Sequence, residues 1–116
     1  MVTVPIGTTE YGANGLGHYL KYPNGVLMCW RYVTLIPQLI SSGGWGGIDI
    51  YQYVGLTFPH AFVDEPYVNI SNIGGGTYTL GQIQRSATEI IKIELFRPFS
   101  DSARSEFYIF AIGRWK

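Results

Sequence analysis

The last eleven residues, Glu106-Phe-Tyr-Ile-Phe-Ala-Ile-Gly-Arg-Trp-Lys116, constrain the fold of this chain more than any other segment. A strand sends alternate side chains to opposite faces. Phe107, Ile109 and Ala111 then point one way and Tyr108, Phe110 and Ile112 the other, so neither face is polar. A small antiparallel domain normally buries one face of a strand and leaves the other to water. Here the second cover has to come from another chain, a crossover segment or a ligand, because no segment carries a helical apolar period that would supply it. Val26–Ile36 repeats the pattern, with Met28, Trp30 and Tyr32 on one face and Leu27, Cys29, Val33 and Leu35 on the other, broken only by Arg31. Each large apolar side chain left in water forfeits ~1.5–3 kcal/mol. The two strands therefore predict association, with Trp30, Tyr32, Tyr108, Phe110 and Ile112 in the contact surface.

Five further runs read as strands: Tyr19–Tyr22, Ile48–Phe58, Pro66–Ile73, Tyr78–Ile83 and Glu89–Phe96. Turn chemistry separates them. Pro23-Asn24-Gly25 suits a tight hairpin, Pro59 removes a ladder donor, and Gly74-Gly-Gly76 permits a sharp reversal. Within Ile48–Phe58 the expected apolar face is Ile48, Ile50 and Gln52. Within Glu89–Phe96 it is Ile91, Ile93 and Leu95, with Lys92 and Glu94 opposite. Ser41–Gly47, with four glycines around Trp45, reads as a loop. Residues 1–17, with Pro5, four glycines and no sustained period, read as a linker or lead-in, and residues 18–116 as the folded domain. Serial short apolar runs with these separators predict an all-β fold, an antiparallel β-sandwich of six or seven strands; a small closed barrel has the same signature.

Charge and side-chain chemistry remove several function classes from the expectation. Eight basic and eight acidic residues are scattered to a net charge of zero, which leaves no electrostatic footprint for nucleic acid. No run of eighteen apolar residues predicts membrane insertion, and the start of the sequence carries no export signal. Cys29 is the single cysteine, so neither an intrachain disulfide nor a cysteine metal site can form, and its flanks make it a small buried hydrophobe. His18 and His60 lack metal-ligand spacing, no serine lies in a nucleophile elbow, and the glycine runs do not lead into a phosphate-binding helix. The acidic residues at loops or edges are Asp49, Asp64, Glu65 and Asp101; adjacent Asp64 and Glu65 diverge on an extended backbone and make a poor acid/base pair. The expectation is no catalytic residue, no metal and no cofactor.

Three blocks, Gly17-His-Tyr-Leu-Lys-Tyr-Pro-Asn-Gly-Val-Leu-Met-Cys-Trp30, Leu56-Thr-Phe-Pro-His-Ala-Phe62 with Pro66-Tyr-Val68, and Phe110-Ala-Ile-Gly-Arg114, carry a family resemblance across residues 17–114. In these the chain resembles the carboxy-terminal domains of bacteriophage tail fibres and related prophage proteins, which also resemble H-type lectins. The resemblance implies an antiparallel sandwich assembled as a homotrimer at a fibre tip. It further implies adhesion to a bacterial cell-surface glycan or other envelope receptor, an upstream tail-fibre or baseplate partner, synthesis in the host cytoplasm and residence in the virion. A purely structural trimerisation or connector domain is the alternative. For a saccharide, the aromatic candidates are Trp45 with Tyr51 and Tyr53 on the following strand, since ring faces stack on the apolar faces of sugars.

Overall fold

The computed structural model describes residues 8–45, 48–75, 78–97 and 104–116, residues 42–45 by backbone alone. Nine strands form among them: β1 (Glu10–Asn14), β2 (Gly17–Lys21), β3 (Val26–Leu35), β4 (Gln38–Trp45), β5 (Ile48–Thr57), β6 (Tyr67–Gly75), β7 (Thr79–Arg85), β8 (Glu89–Arg97) and β9 (Ser105–Arg114). They make two antiparallel sheets, ordered β1-β2-β3-β9-β6 and β4-β5-β8-β7. The all-β, two-sheet expectation holds, and the strand count of six or seven is corrected to nine. The two additions are β1, inside the segment read as lead-in, and β4, which runs through the segment read as a glycine loop. Two register shifts, between Leu39 and Ser41 and between Ser41 and Trp45, interrupt the β4–β5 ladder and hide its period. Residues 1–7 of the expected lead-in, Gly76 of the expected turn and Asp101 lie outside the described residues.

Apolar alternation places β3 and β9 at the centre of the larger sheet, paired without a shift from Val26–Arg114 to Leu35–Ser105. Their inner faces, Leu27, Cys29, Val33 and Leu35 with Phe107, Ile109 and Ala111, join Tyr51 and Leu56 of β5 and Ile90, Ile93 and Leu95 of β8 in one buried core. Tyr78 couples the layers, meeting Tyr51 edge to face at 5.3 Å and Phe107 at 6.4 Å between ring centroids. The segment between β5 and β6 straps the sheets together. Phe58 N donates to Thr88 O at 3.0 Å, Phe62 N to Ala87 O at 2.8 Å and Val63 N to Arg114 O at 2.9 Å, while Phe58 and Phe62 stack edge to face. At the β2–β3 turn, Gly25 takes φ 100° as the Asn-Gly pair predicts, and the Trp115 indole N–H donates to Tyr22 O at 2.6 Å.

Two expected faces are corrected. On β5 the inward side chains are Asp49, Tyr51 and Tyr53, whereas Ile48 is exposed and Ile50 and Gln52 are half-buried. On β8 Ile93 and Leu95 point inward as expected, but Ile91 is exposed and Ile90 is buried instead. The cause is local. Between the Val54–Lys92 and Leu56–Ile90 pairs, Gly55 takes φ 80°, and both strands change inward parity there without losing register.

Asn72 ties the far edge of the larger sheet to the start of β7. Its amide N–H groups donate to Gly74 O, Glu106 O and Ser105 Oγ at 3.2, 3.1 and 2.5 Å, and its carbonyl oxygen accepts from Tyr78 N at 3.0 Å. Buried Ser105 donates in turn to Gly74 O at 2.7 Å. This network satisfies polar groups at a register shift between Asn72 and Gly74, where the ladder cannot.

Candidate functional site

Cross-strand register assembles a largely apolar surface on the outer face of the five-stranded sheet. Trp30 lies opposite Phe110, Tyr32 opposite Tyr108 and Met28 opposite Ile112. All five residues expected in a contact surface therefore share one face. On one flank β6 extends the rows, with Tyr67 beside Ile112, Asn69 beside Phe110 and Ser71 beside Tyr108. On the other flank His18 pairs with Trp30, Leu20 with Met28 and Tyr11 with Leu20. Within a single chain Tyr11, Tyr32, Tyr67 and Tyr108 are exposed, Tyr67 at 64% and Tyr32 at 56%. Trp30, Phe110, Met28, Ile112 and Leu20 are half-buried.

An aromatic ladder closes the β1 edge of this face. His18 stacks on Trp30 at 5.5 Å with planes 11° apart, Tyr11 stacks on His18 at 6.0 Å, and the Tyr11 hydroxyl lies 2.7 Å from His18 Nδ1. Histidine here is a cross-strand spacer. At the opposite end of the rows, a hydrogen bond to the Glu106 carboxylate, helped by desolvation and by that negative charge, raises the Tyr32 phenol above its ordinary pKa. Charge is confined to the ends of β9. Glu106 sits at one end and Arg114 at the other, where it pairs with Asp64 at 3.4 Å in an exposed position.

The saccharide candidates are dispersed. Tyr51 has 0% exposure and packs on Tyr78, so it is a core residue whose ring offers no face to a ligand. Tyr53 is half-buried and lines a shallow groove at the open side of β5. Trp45 stands in β4 opposite Ile48, and its side chain lies outside the described residues. Of the acidic candidates, Asp49 is buried beneath the sheet opposite Arg97, while Asp64 and Glu65 are exposed in the strap. Among the described residues no three of His, Cys, Asp and Glu converge as a metal site would require. His18, Leu20, Tyr11 and Tyr67 were missed as members of the apolar face. Tyr11 fell in the presumed linker, and the other three became neighbours of the aromatic rows only through register.

Two solved structures share this architecture. An N-truncated R1-type pyocin tail fibre superposes with a TM-score of 0.58 at 17% sequence identity, over 91% of this chain and 85% of that one. The chain shares the fold of that structure. A C-terminal fragment of the P. aeruginosa R1 pyocin fibre gives a TM-score of 0.54 at 17% identity, and there the match covers 91% of this chain but 28% of the longer fibre fragment. No protein-family model and no curated protein matches the sequence. The likeness to both fibres is thus one of backbone geometry, at 17% sequence identity to each.

Proposed function

We propose that this chain is a non-catalytic tip domain of a phage tail fibre or related particle, assembled as a homotrimer and attaching to a saccharide on a bacterial surface. The observation that carries the proposal is the largely aromatic and apolar outer face spanning β1, β2, β3, β9 and β6. A patch of this kind, with charge only at its ends, is typical of a surface covered by another subunit. Tail-fibre architecture favours identical neighbours, and the threefold number follows from the family resemblance. Residues 18–116 form the tip in this reading, with residues 1–17 leading back toward a fibre shaft or baseplate partner and β1 as the docked end of that lead-in. Synthesis in a host cytoplasm and residence in the virion follow from the same role, and a kinship with H-type lectins follows from the family resemblance.

Sedimentation at micromolar concentration tests the assembly, with a trimer expected and a monomer refuting it. Binding to isolated bacterial envelopes, before and after enzymatic removal of their polysaccharide, tests the ligand. Saturable binding that disappears with the polysaccharide supports attachment. A trimer that binds no envelope fraction supports a structural connector, a reading favoured by the core position of Tyr51, which removes one of the three aromatic ligand candidates.

A further inference from the structure

The smaller sheet carries a groove that the outer face of the larger sheet does not account for. It is lined by Ile36, Gln38, Gln52, Tyr53 and Val54, is open to solvent and has a volume of about 260 Å³. Its position follows from unequal strand lengths. The β4–β5 ladder ends at the Gln38–Gln52 pair because β4 begins at Gln38, yet β5 continues to Thr57 with no strand on that side. The groove sits where the ladder stops.

Its lining has a definite chemistry. Gln38 and Gln52 are direct cross-strand partners, which sets their Cβ atoms ~5 Å apart and brings two primary amides side by side. Each amide offers two donors and an acceptor, and among the described residues no hydrogen bond engages either. Exposed Ile36 and Val54 add apolar walls, and Tyr53, packed against the core, closes the inward side. No ionised group lines the groove. The nearest charges, Lys92 opposite Val54 and Glu94 opposite Gln52, lie 4.0 Å from each other and offset one another. A neutral lining with paired donor-acceptor groups and an apolar wall matches a ligand that has hydroxyls on its rim and C–H groups on its face. Drug-sized pockets occupy ~300–1,000 Å³, so this smaller volume suits one ring rather than several.

We infer that the groove is a subsite for a single uncharged pyranose, with Gln38 and Gln52 bonding its hydroxyls and Ile36 and Val54 covering its apolar face. The inference rests on the saccharide-attachment reading and assigns it a place on the β4–β5 corner, away from the subunit-contact face.

The test is a titration of the assembled, isotope-labelled protein with the methyl glycosides of glucose, galactose, mannose and N-acetylglucosamine, read on the side-chain amide resonances of Gln38 and Gln52. Saturable shifts with at least one glycoside, unmatched by glycerol, are expected. They should weaken about tenfold for each amide removed in Q38A and Q52A, with the melting temperature unchanged. Absence of saturable shifts with all four glycosides overturns the subsite, as does an equal response to glycerol. Envelope binding separates the two levels: if Q38A/Q52A binds polysaccharide as tightly as the parent, attachment stands and the groove falls. If the parent binds no polysaccharide, both fall.

Discussion

Phe107 and Phe110 lie three residues apart on one strand and face opposite ways, so replacing each with aspartate separates core from contact surface. Phe107 is 1% exposed and packs on Tyr78. Truncating such a residue costs ~3–5 kcal/mol, and a buried carboxylate adds several more, which together rival the ~5–15 kcal/mol that holds a domain folded. Phe107→Asp should not fold. Phe110 is half-buried between Trp30 and Asn69 on the outer face. Full burial is worth ~1.5–3 kcal/mol, so about half of that, ~1 kcal/mol per chain, remains for subunit contact. In the proposed trimer, three chains about one axis would then lose ~3 kcal/mol on loss of the ring, or roughly a hundredfold in association, before any cost of burying three carboxylates. Phe110→Asp should therefore give a folded monomer. Sedimentation velocity reports the mass, and far- and near-ultraviolet circular dichroism report the fold. A Phe110→Asp protein that still assembles would remove β9 from the interface, and one that unfolds would place Phe110 in the core.

Asn72→Ala should lower stability by about 1–3 kcal/mol in urea denaturation, because Tyr78 N and Ser105 lose a partner in a part-buried site; an unchanged midpoint would mean that water replaces the amide. Gly55→Ala should cost ~1–2 kcal/mol through its φ of 80° alone, since a Cβ there meets no atom within 4 Å, and a neutral result would mean that the strands keep their inward faces without that conformation. Burial pushes the Cys29 thiol up to about 12 from an ordinary 9.0, against a smaller lowering by its bond to His60 O. The unfolded chain then ionises first, so this contribution to stability is complete below pH 9 and is lost as pH rises toward 12. Cys29→Ala should show a shallower alkaline decline than the parent, and identical declines would contradict the burial argument.

How much of this was legible in the sequence depends on the strand. β3 and β9 announce themselves because apolar residues alternate on both faces for their full length, and their mutual pairing brings the five expected contact residues onto one surface. β1 stayed hidden because Gly12 resembles linker composition. In the sheet that glycine lies opposite Tyr19, whose ring covers it and would collide with any Cβ. β4 was obscured by two register shifts within a glycine-rich stretch. The inward face of β5 was misassigned because its isoleucines outweighed Asp49 and two tyrosines in a count of apolar positions. Buried Asp49 and the parity change at Gly55 are tertiary facts with no local period. For the same reason Tyr51 looked available to a ligand when it is a pillar of the core, and the Gln38–Gln52 groove was invisible until β4 was known to be a strand.

The strand order also dictates a timetable. β9 lies between β3 and β6 yet follows both in the chain, so the larger sheet stays divided until β9 is in place. The smaller sheet has all its members earlier and can form first, with its inner face waiting for Phe107, Ile109 and Ala111. Closure therefore depends on contacts that are distant in sequence, which makes it slow and exposes a half-built sandwich in the interim. The same late strand carries Tyr108, Phe110 and Ile112, so no chain can offer a complete association surface to a neighbour before its own sandwich has closed.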